Sequence, residues 1–345
     1  MGIILSHQSA LEVWRHPDSW ALIDANREPR LAVPNEYPSL EKLNELAQRT
    51  RPLAHLLECA ENGAGALHVL VRDQQLRNVS KLVYSHVCTL DLPPESLVKL
   101  ADEVYVASPE LCFLQMCQVL PRIDCIELAY ELCGVYMTGP EFEDGFADQP
   151  AVTSVAKLQE YLARVESIPG AQRAYGATRY ALDGARSPQE AALSMTLSLP
   201  TRLGGYGIPA PQLNHTLQVP HALQNRYTRR SEIECDLYWP GLDVEYNSDQ
   251  DHAQSAQRAR DANRAIVLEK MGVQHIQVTR LQMKRSDEFE FIVRKIRDHL
   301  GLRHRAVPAQ RRAQRQRLRS YLMTPAFVRA EVFADWMAEF DGRLR

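Results

Sequence analysis

The sequence lacks several of the features that sort proteins into special classes. No apolar run reaches the length of a transmembrane helix, so no membrane partner is expected. The net charge of −3 over 345 residues predicts no strong attraction to nucleic acid for the molecule as a whole. Cysteine is sparse and odd in number, seven in all, with no secretory signal, which favours free thiols and a reducing cytoplasm. The spacings of Cys112, Cys117, Cys125 and Cys133 contain no CxxC pair and suit buried helix positions better than a zinc site. The glycine-rich stretch from Arg202 to Gln212 has no Lys-Ser/Thr after it, so it reads as a connecting loop and not a phosphate cradle. Met1-Gly2 with Ser6 fits a lipidation pattern too short to outweigh chance.

What is present centres on residues 234–247. Two runs of alternating polar and apolar residues flank Pro240-Gly241, which predicts a β-hairpin. With that turn, Trp239 faces Leu242, Tyr238 faces Asp243, and Asp236 lies opposite Glu245. Alternation puts Cys235, Leu237, Trp239, Leu242, Val244 and Tyr246 on one apolar side. Glu234, Asp236, Tyr238, Asp243, Glu245 and Asn247 share the other. Opposed carboxylates about 5 Å apart repel unless a cation lies between them, and hard oxygen ligands suit Mg²⁺ or Mn²⁺. A solvated acidic face is the plain alternative. L-Pro-Gly suits a type II turn, whereas two-residue hairpin loops prefer primed types, so the register depends on the loop.

Downstream, His252 follows a polar loop, and a helix is expected from about 253 to 271, carrying Asp261 and Arg264. Gly272 ends it before a strand over 273–278. The order D-x-x-W-P, V-E-x-(D/N), H, D-x-x-R-x-x-x-L, G, strand resembles the PD-(D/E)XK nuclease-like domains of the very-short-patch-repair endonuclease type. Asp236, Glu245, Asn247, His252, Asp261, Arg264 and Gly272 carry the likeness, which covers 187–302. It implies a restriction-endonuclease-like mixed sheet flanked by helices. It also implies metal-assisted phosphodiester hydrolysis, with Asp236 and Glu245 holding Mg²⁺ or Mn²⁺ and DNA as the partner. His252 would shuttle a proton or donate to phosphate. Asp261 and Arg264, three apart on a helix, suit a supporting ion pair. Asn247 stands where such sites carry Lys or Asp. Two readings follow: a DNA endonuclease of repair or phage defence, and a non-catalytic DNA-binding or antitoxin-like regulator on a degenerate nuclease fold.

The rest of the chain divides around this core. Residues 1–137 read as an α+β domain with strands near 67–71, 81–84 and 104–106, and a helix opened by Ser108-Pro109. This half loosely resembles the N-terminal portions of bacterial proteins related to abortive-infection antitoxins. His7, His55, His68 and His86 are expected to be separate structural histidines. Residues 138–153, rich in Pro, Gly and acids, predict a linker, followed by connecting helices over 154–186. Ser187-Pro188-Gln189-Glu190 is a capping box at a helix start, a structural reason for Glu190. The resemblance supplies a second, an acid at the edge of the metal site. Beyond 302 comes a basic helical extension with no acid between Arg303 and Arg319. Arg311, Arg312, Arg315 and Arg317 are the candidates for phosphate contacts, against a solvated helix face. An apolar helix over 323–340 could pack back, dimerise or meet a protein partner.

Overall fold

The computed structural model describes residues 2–17, 27–28, 33–34, 38–77, 80–224, 226–247, 255–304 and 306–332. The chain is mixed α/β and divides into two compact units, Met1–Ala181 and Leu182–Arg345. Among the described residues no helix is long and apolar enough to cross a membrane.

The first unit contains β1 (Ile3–Leu5), α1 (His7–Trp14), β2 (Arg27–Glu28), α2 (Leu40–Ala47), α3 (Arg51–Glu61), β3 (Leu67–Val71), β4 (Val83–Val87), β5 (Leu97–Ala101) and β6 (Val104–Ala107). Helices α4 (Pro109–Val119) and α5 (Arg122–Leu132), the pair β7 (Tyr136–Thr138) and β8 (Phe146–Asp148), and helices α6 (Val155–Arg164) and α7 (Ala171–Thr178) complete it. Its six-stranded sheet runs β2-β5-β6-β1-β3-β4. The short apolar β1 is an interior strand, parallel to β6 and antiparallel to β3, which explains three buried residues in a row. Ser108 caps α4 as its sequence predicts, its hydroxyl accepting from Leu111 N at 3.3 Å.

Residues 138–153 are not a linker. Thr138 pairs with Phe146 in the β7–β8 ladder. Its N–H and hydroxyl both donate to Glu131 Oε1 at 3.0 Å, and Thr153 donates to the buried Glu110 at 2.6 Å. Polar composition misled here because these polar groups are satisfied by buried acids on α4 and α5 rather than by water. Helices α6 and α7, expected as connectors, belong to the same unit, and the chain divides after Ala181.

The second unit contains α8 (Pro188–Ser198), β9 (Gln212–Gln218), α9 (His221–Gln224), β10 (Glu232–Trp239), β11 (Leu242–Asn247), α10 (Ser255–Lys270) and β12 (Gln274–Thr279). Helices α11 (Arg280–Lys284), α12 (Ser286–His299), α13 (Ala309–Leu322) and α14 (Ala326–Val332) follow. The sheet order is β12-β11-β10-β9, antiparallel except for the β11–β12 pair, which α10 connects. Leu193 and Leu197 of α8 and Phe289, Ile292, Val293 and Ile296 of α12 pack on one face, against Leu237, Trp239, Leu242 and Val244. On the other face Val267 and Leu268 of α10 pack with Ile233, Cys235 and Tyr238.

The hairpin register is the expected one: Leu237 pairs with Val244, Tyr238 with Asp243 and Trp239 with Leu242. Gly241 takes φ +76°, the conformation a Pro-Gly type II turn requires at its second central residue.

Candidate metal centre

The strand alternation of β10 fails at Asp236. Cys235 packs with Tyr238 and α10, whereas Leu237 and Trp239 pack with α8 and α12. Residues two apart should share a face, so the expectation that Cys235 joins Leu237 is corrected. The paired strand breaks at the same level. His215 stacks on Tyr238 at 4.4 Å, while Leu213, two residues earlier, packs on the opposite cluster. Between them Asn214 takes φ +48°, a left-handed conformation Asn adopts more readily than most residues.

Three acids lie around this break. Asn214 Nδ2 donates to Glu190 Oε2 at 3.0 Å and to the Gly184 carbonyl at 2.8 Å. The β9–β10 register puts Asp236 across from Asn214, between the pairs Cys235–His215 and Leu237–Leu213. Asp236 Oδ2 accepts from Tyr246 N at 2.9 Å, beside Glu245 on β11. Burial first, then the charges of Glu190 and Glu245, push the Asp236 carboxyl up to about 8. Burial also raises Glu190.

Glu190 has the capping role its sequence suggests, shifted by one residue. Ser187 Oγ accepts from Glu190 N at 3.1 Å and donates to Glu190 Oε1 at 3.2 Å, while the carboxylate takes Arg186 N at 3.0 Å. The cap and the link to Asn214 coexist.

A second group, missed in sequence, lies on the α10 face. Asp243 and His275 are direct partners in the parallel β11–β12 ladder, and Glu245 follows two residues after Asp243. His275 Nδ1 lies 2.7 Å from Asp243 Oδ2, and its Nε2 lies 3.7 Å from Glu245 Oε2. One ligand atom from each of the three lies within 4.8 Å of the others, so Asp243, Glu245 and His275 could hold a metal ion. The Asp243 side chain is 0% exposed and that of Glu245 24%. Arg264 approaches from α10, 3.2 Å from Glu245 and 3.5 Å from Asp243, and donates to the Glu234 carbonyl. Burial and then the Asp243 charge raise the neighbouring Cys235 thiol. The polar alternation of β11 marked Asp243, but nothing in the sequence tied it to His275.

Of the other expected site residues, Asn247 ends β11 opposite Thr279. His252 and the side chain of Asp261 lie outside the described residues, as do residues 333–340 of the expected terminal helix. The arginine run divides into two kinds. Arg319, 2% exposed, donates to Tyr206 Oη (2.7 Å), Ser286 Oγ (2.9 Å) and the Met283 carbonyl (3.1 Å). Arg315 lies over the Tyr206 ring and 3.3 Å from Glu290, so it is a packing residue more than a free phosphate contact. Arg311, Arg312 and Arg317 are exposed.

In the first unit His7, His68 and His86 do cluster, against expectation. His68 Nδ1 lies 2.8 Å from His86 Nε2, and His7 stacks on His86 with ring centroids 3.5 Å apart. The parallel β3–β4 pairing and the start of α1 bring together positions far apart in sequence. Burial, then the neighbouring imidazoles, lower His7 to about 3, and burial foremost lowers His86 to about 4. His55 is not among them; its Nε2 lies 3.7 Å from Cys59 Sγ.

Comparison with protein-family models, curated proteins and solved structures gives no match.

Proposed function

We propose that residues 182–345 form a restriction-endonuclease-like module that hydrolyses DNA phosphodiesters with Mg²⁺ or Mn²⁺. The observation that carries this reading is the nearness of three acids: Asn214, which holds Glu190, lies across from Asp236 on the neighbouring strand, and Asp236 accepts from Tyr246 N beside Glu245. A carboxyl raised first by burial and then by two neighbouring acids fits a hard divalent cation, whose charge offsets both. Asp236 and Glu245 would hold the ion, with Glu190 at its edge and the Asn247 amide oxygen as a neutral ligand. Such an ion supplies an activated water and offsets charge on the phosphate. The exposed Arg311, Arg312 and Arg317 would meet DNA phosphates through sequence-independent attraction.

A second reading, a non-catalytic DNA-binding regulator on a degenerate nuclease fold, draws on two observations. Arg264 already supplies a positive charge to Glu245. Asn247 supplies no charge where related sites have Lys or Asp. Incubation of the purified protein with supercoiled plasmid and Mg²⁺ or Mn²⁺, beside Asp236→Ala, separates the readings. Nicking by the parent and not by the variant is the expected result. Equal nicking by both, or by neither, removes the enzyme reading.

A further inference from the structure

We propose that Glu245 and His275 ligate a transition-metal ion, with Asp243 holding the imidazole from its far nitrogen, at a site distinct from the row around Asp236 and sharing only Glu245 with it. It would take a borderline divalent ion such as Zn²⁺ or Co²⁺. Three observations converge on this assignment. Asp243 Oδ2 engages the imidazole at Nδ1, which commits that nitrogen and fixes the ring so that Nε2 is the available donor. A carboxylate holding the far nitrogen of a ligand histidine is the usual supporting arrangement at such metals. His275 Nε2 is buried and has no hydrogen-bond partner among the described residues, and it faces Glu245 Oε2 at 3.7 Å. That separation is compatible with two ligands about 2 Å from one ion. The mixed nitrogen and oxygen donor set favours a borderline metal over Mg²⁺ or Ca²⁺.

Two carboxylates, Asp243 and Glu245, stand near the guanidinium of Arg264. Arg264 is tethered to the Glu234 carbonyl, while the ion would approach from the His275 side. The bound metal would clamp β11 to β12 and fix the position of Glu245. The site does not depend on the nuclease reading.

The test uses the full chain, stripped with EDTA and titrated with Co²⁺ and Zn²⁺ by absorption spectroscopy and calorimetry. An Asp236→Asn background keeps the other acidic row from contributing. One ion per chain is expected, with a visible Co²⁺ band. His275→Gln should abolish that binding, and Asp243→Asn should weaken it about 10- to 100-fold. Asp243 is wholly buried, so His275→Gln, checked for folding by circular dichroism, is the deciding variant if Asp243→Asn misfolds. No binding in the Asp236→Asn chain, or unchanged binding in His275→Gln, overturns the proposal. Plasmid nicking separates the two sites: Co²⁺ binding without nicking by the parent chain defeats the nuclease reading alone. Nicking without this Co²⁺ site defeats the transition-metal site alone.

Discussion

Each unit buries acidic groups, and they are buried in opposite ways. In the first, Glu131 meets Arg15 in a two-pronged pair at 2.7 and 2.8 Å and accepts two more bonds from Thr138. Charge is balanced and the carboxylate is well satisfied. In the second, burial first, and then the charges of Glu190 and Glu245, make Asp236 hold its proton up to about pH 8. A paired buried acid is a structural fastener. An acid crowded by other acids stores repulsion that only a proton or a cation relieves, and that separates an architectural cluster from a candidate site.

The largest effect should come from breaking the balanced pair. Glu131→Ala leaves Arg15 buried without its counter-charge and strips Thr138 of its acceptor. The first unit should lose about 3–5 kcal/mol. Asp236→Asn in the second should instead be neutral or stabilising in the absence of divalent ions. Chemical denaturation of both variants checks the contrast, and equal losses would erase it.

The pH dependence of the two units should run in opposite directions. His7 and His86 have folded pKa values lowered to about 3 and 4, so the unfolded chain binds protons first. Their contribution is complete above about pH 6.5 and drains away on acidification, by up to about 1.4 kcal/mol per pH unit per histidine. Asp236 has a raised value, so the folded chain binds the proton first. Its contribution is complete below about pH 4, is lost progressively between about pH 4 and 8, and changes no further above that. Hydrogen exchange on peptides from each unit, followed from about pH 5 to 9, reads both slopes. Mg²⁺ should flatten the loss that Asp236 causes on raising the pH, and Asp236→Asn should remove most of it.

The arginine run draws the same contrast on a smaller scale. Arg319→Ala removes three hydrogen bonds from a buried guanidinium and should cost about 2–4 kcal/mol. Arg312→Ala, whose guanidinium bonds only its own segment at the Val307 carbonyl among the described contacts, should stay within about 0.5 kcal/mol. In DNA binding the order reverses. Loss of an exposed phosphate contact lowers the slope of log K against log salt by about 0.9. A slope unchanged by combined Arg311, Arg312 and Arg317 substitutions would assign this face to solvent or to a protein.

These regions differ in how far the sequence discloses them. The hairpin was legible down to its register because Pro240-Gly241 sets the turn and alternation sets the sides. It failed at Cys235, where Asn214 on the neighbouring strand adopts a left-handed conformation that no pattern in β10 announces. The capping role of Glu190 is local and was legible; its link to Asn214 spans 24 residues and was not. Asp243 and His275 meet only through the parallel pairing of β11 with β12, and His7, His68 and His86 only through β3, β4 and the start of α1. Local patterns show elements and caps. Side chains joined by sheet order appear only when the strands are assembled.

The smallest expected effect tests whether the acidic row is a site at all. Asn247 ends β11, on the strand that carries Glu245 and Asp243, and Asn247→Asp adds one charge there without changing side-chain size. If the row binds a hard cation, the new carboxylate strengthens its hold. The variant should then be modestly less stable than the parent in EDTA and gain more from millimolar Mg²⁺. If no cation binds, the added charge only increases repulsion, most clearly at low salt. The penalty, on the order of 0.5–1 kcal/mol for a partly exposed position, would then be the same with and without Mg²⁺. Thermal melts of both chains in the two buffers decide between these outcomes. A variant destabilised equally in both would leave the Asp236 row a strained relic and favour the DNA-binding regulator over the enzyme.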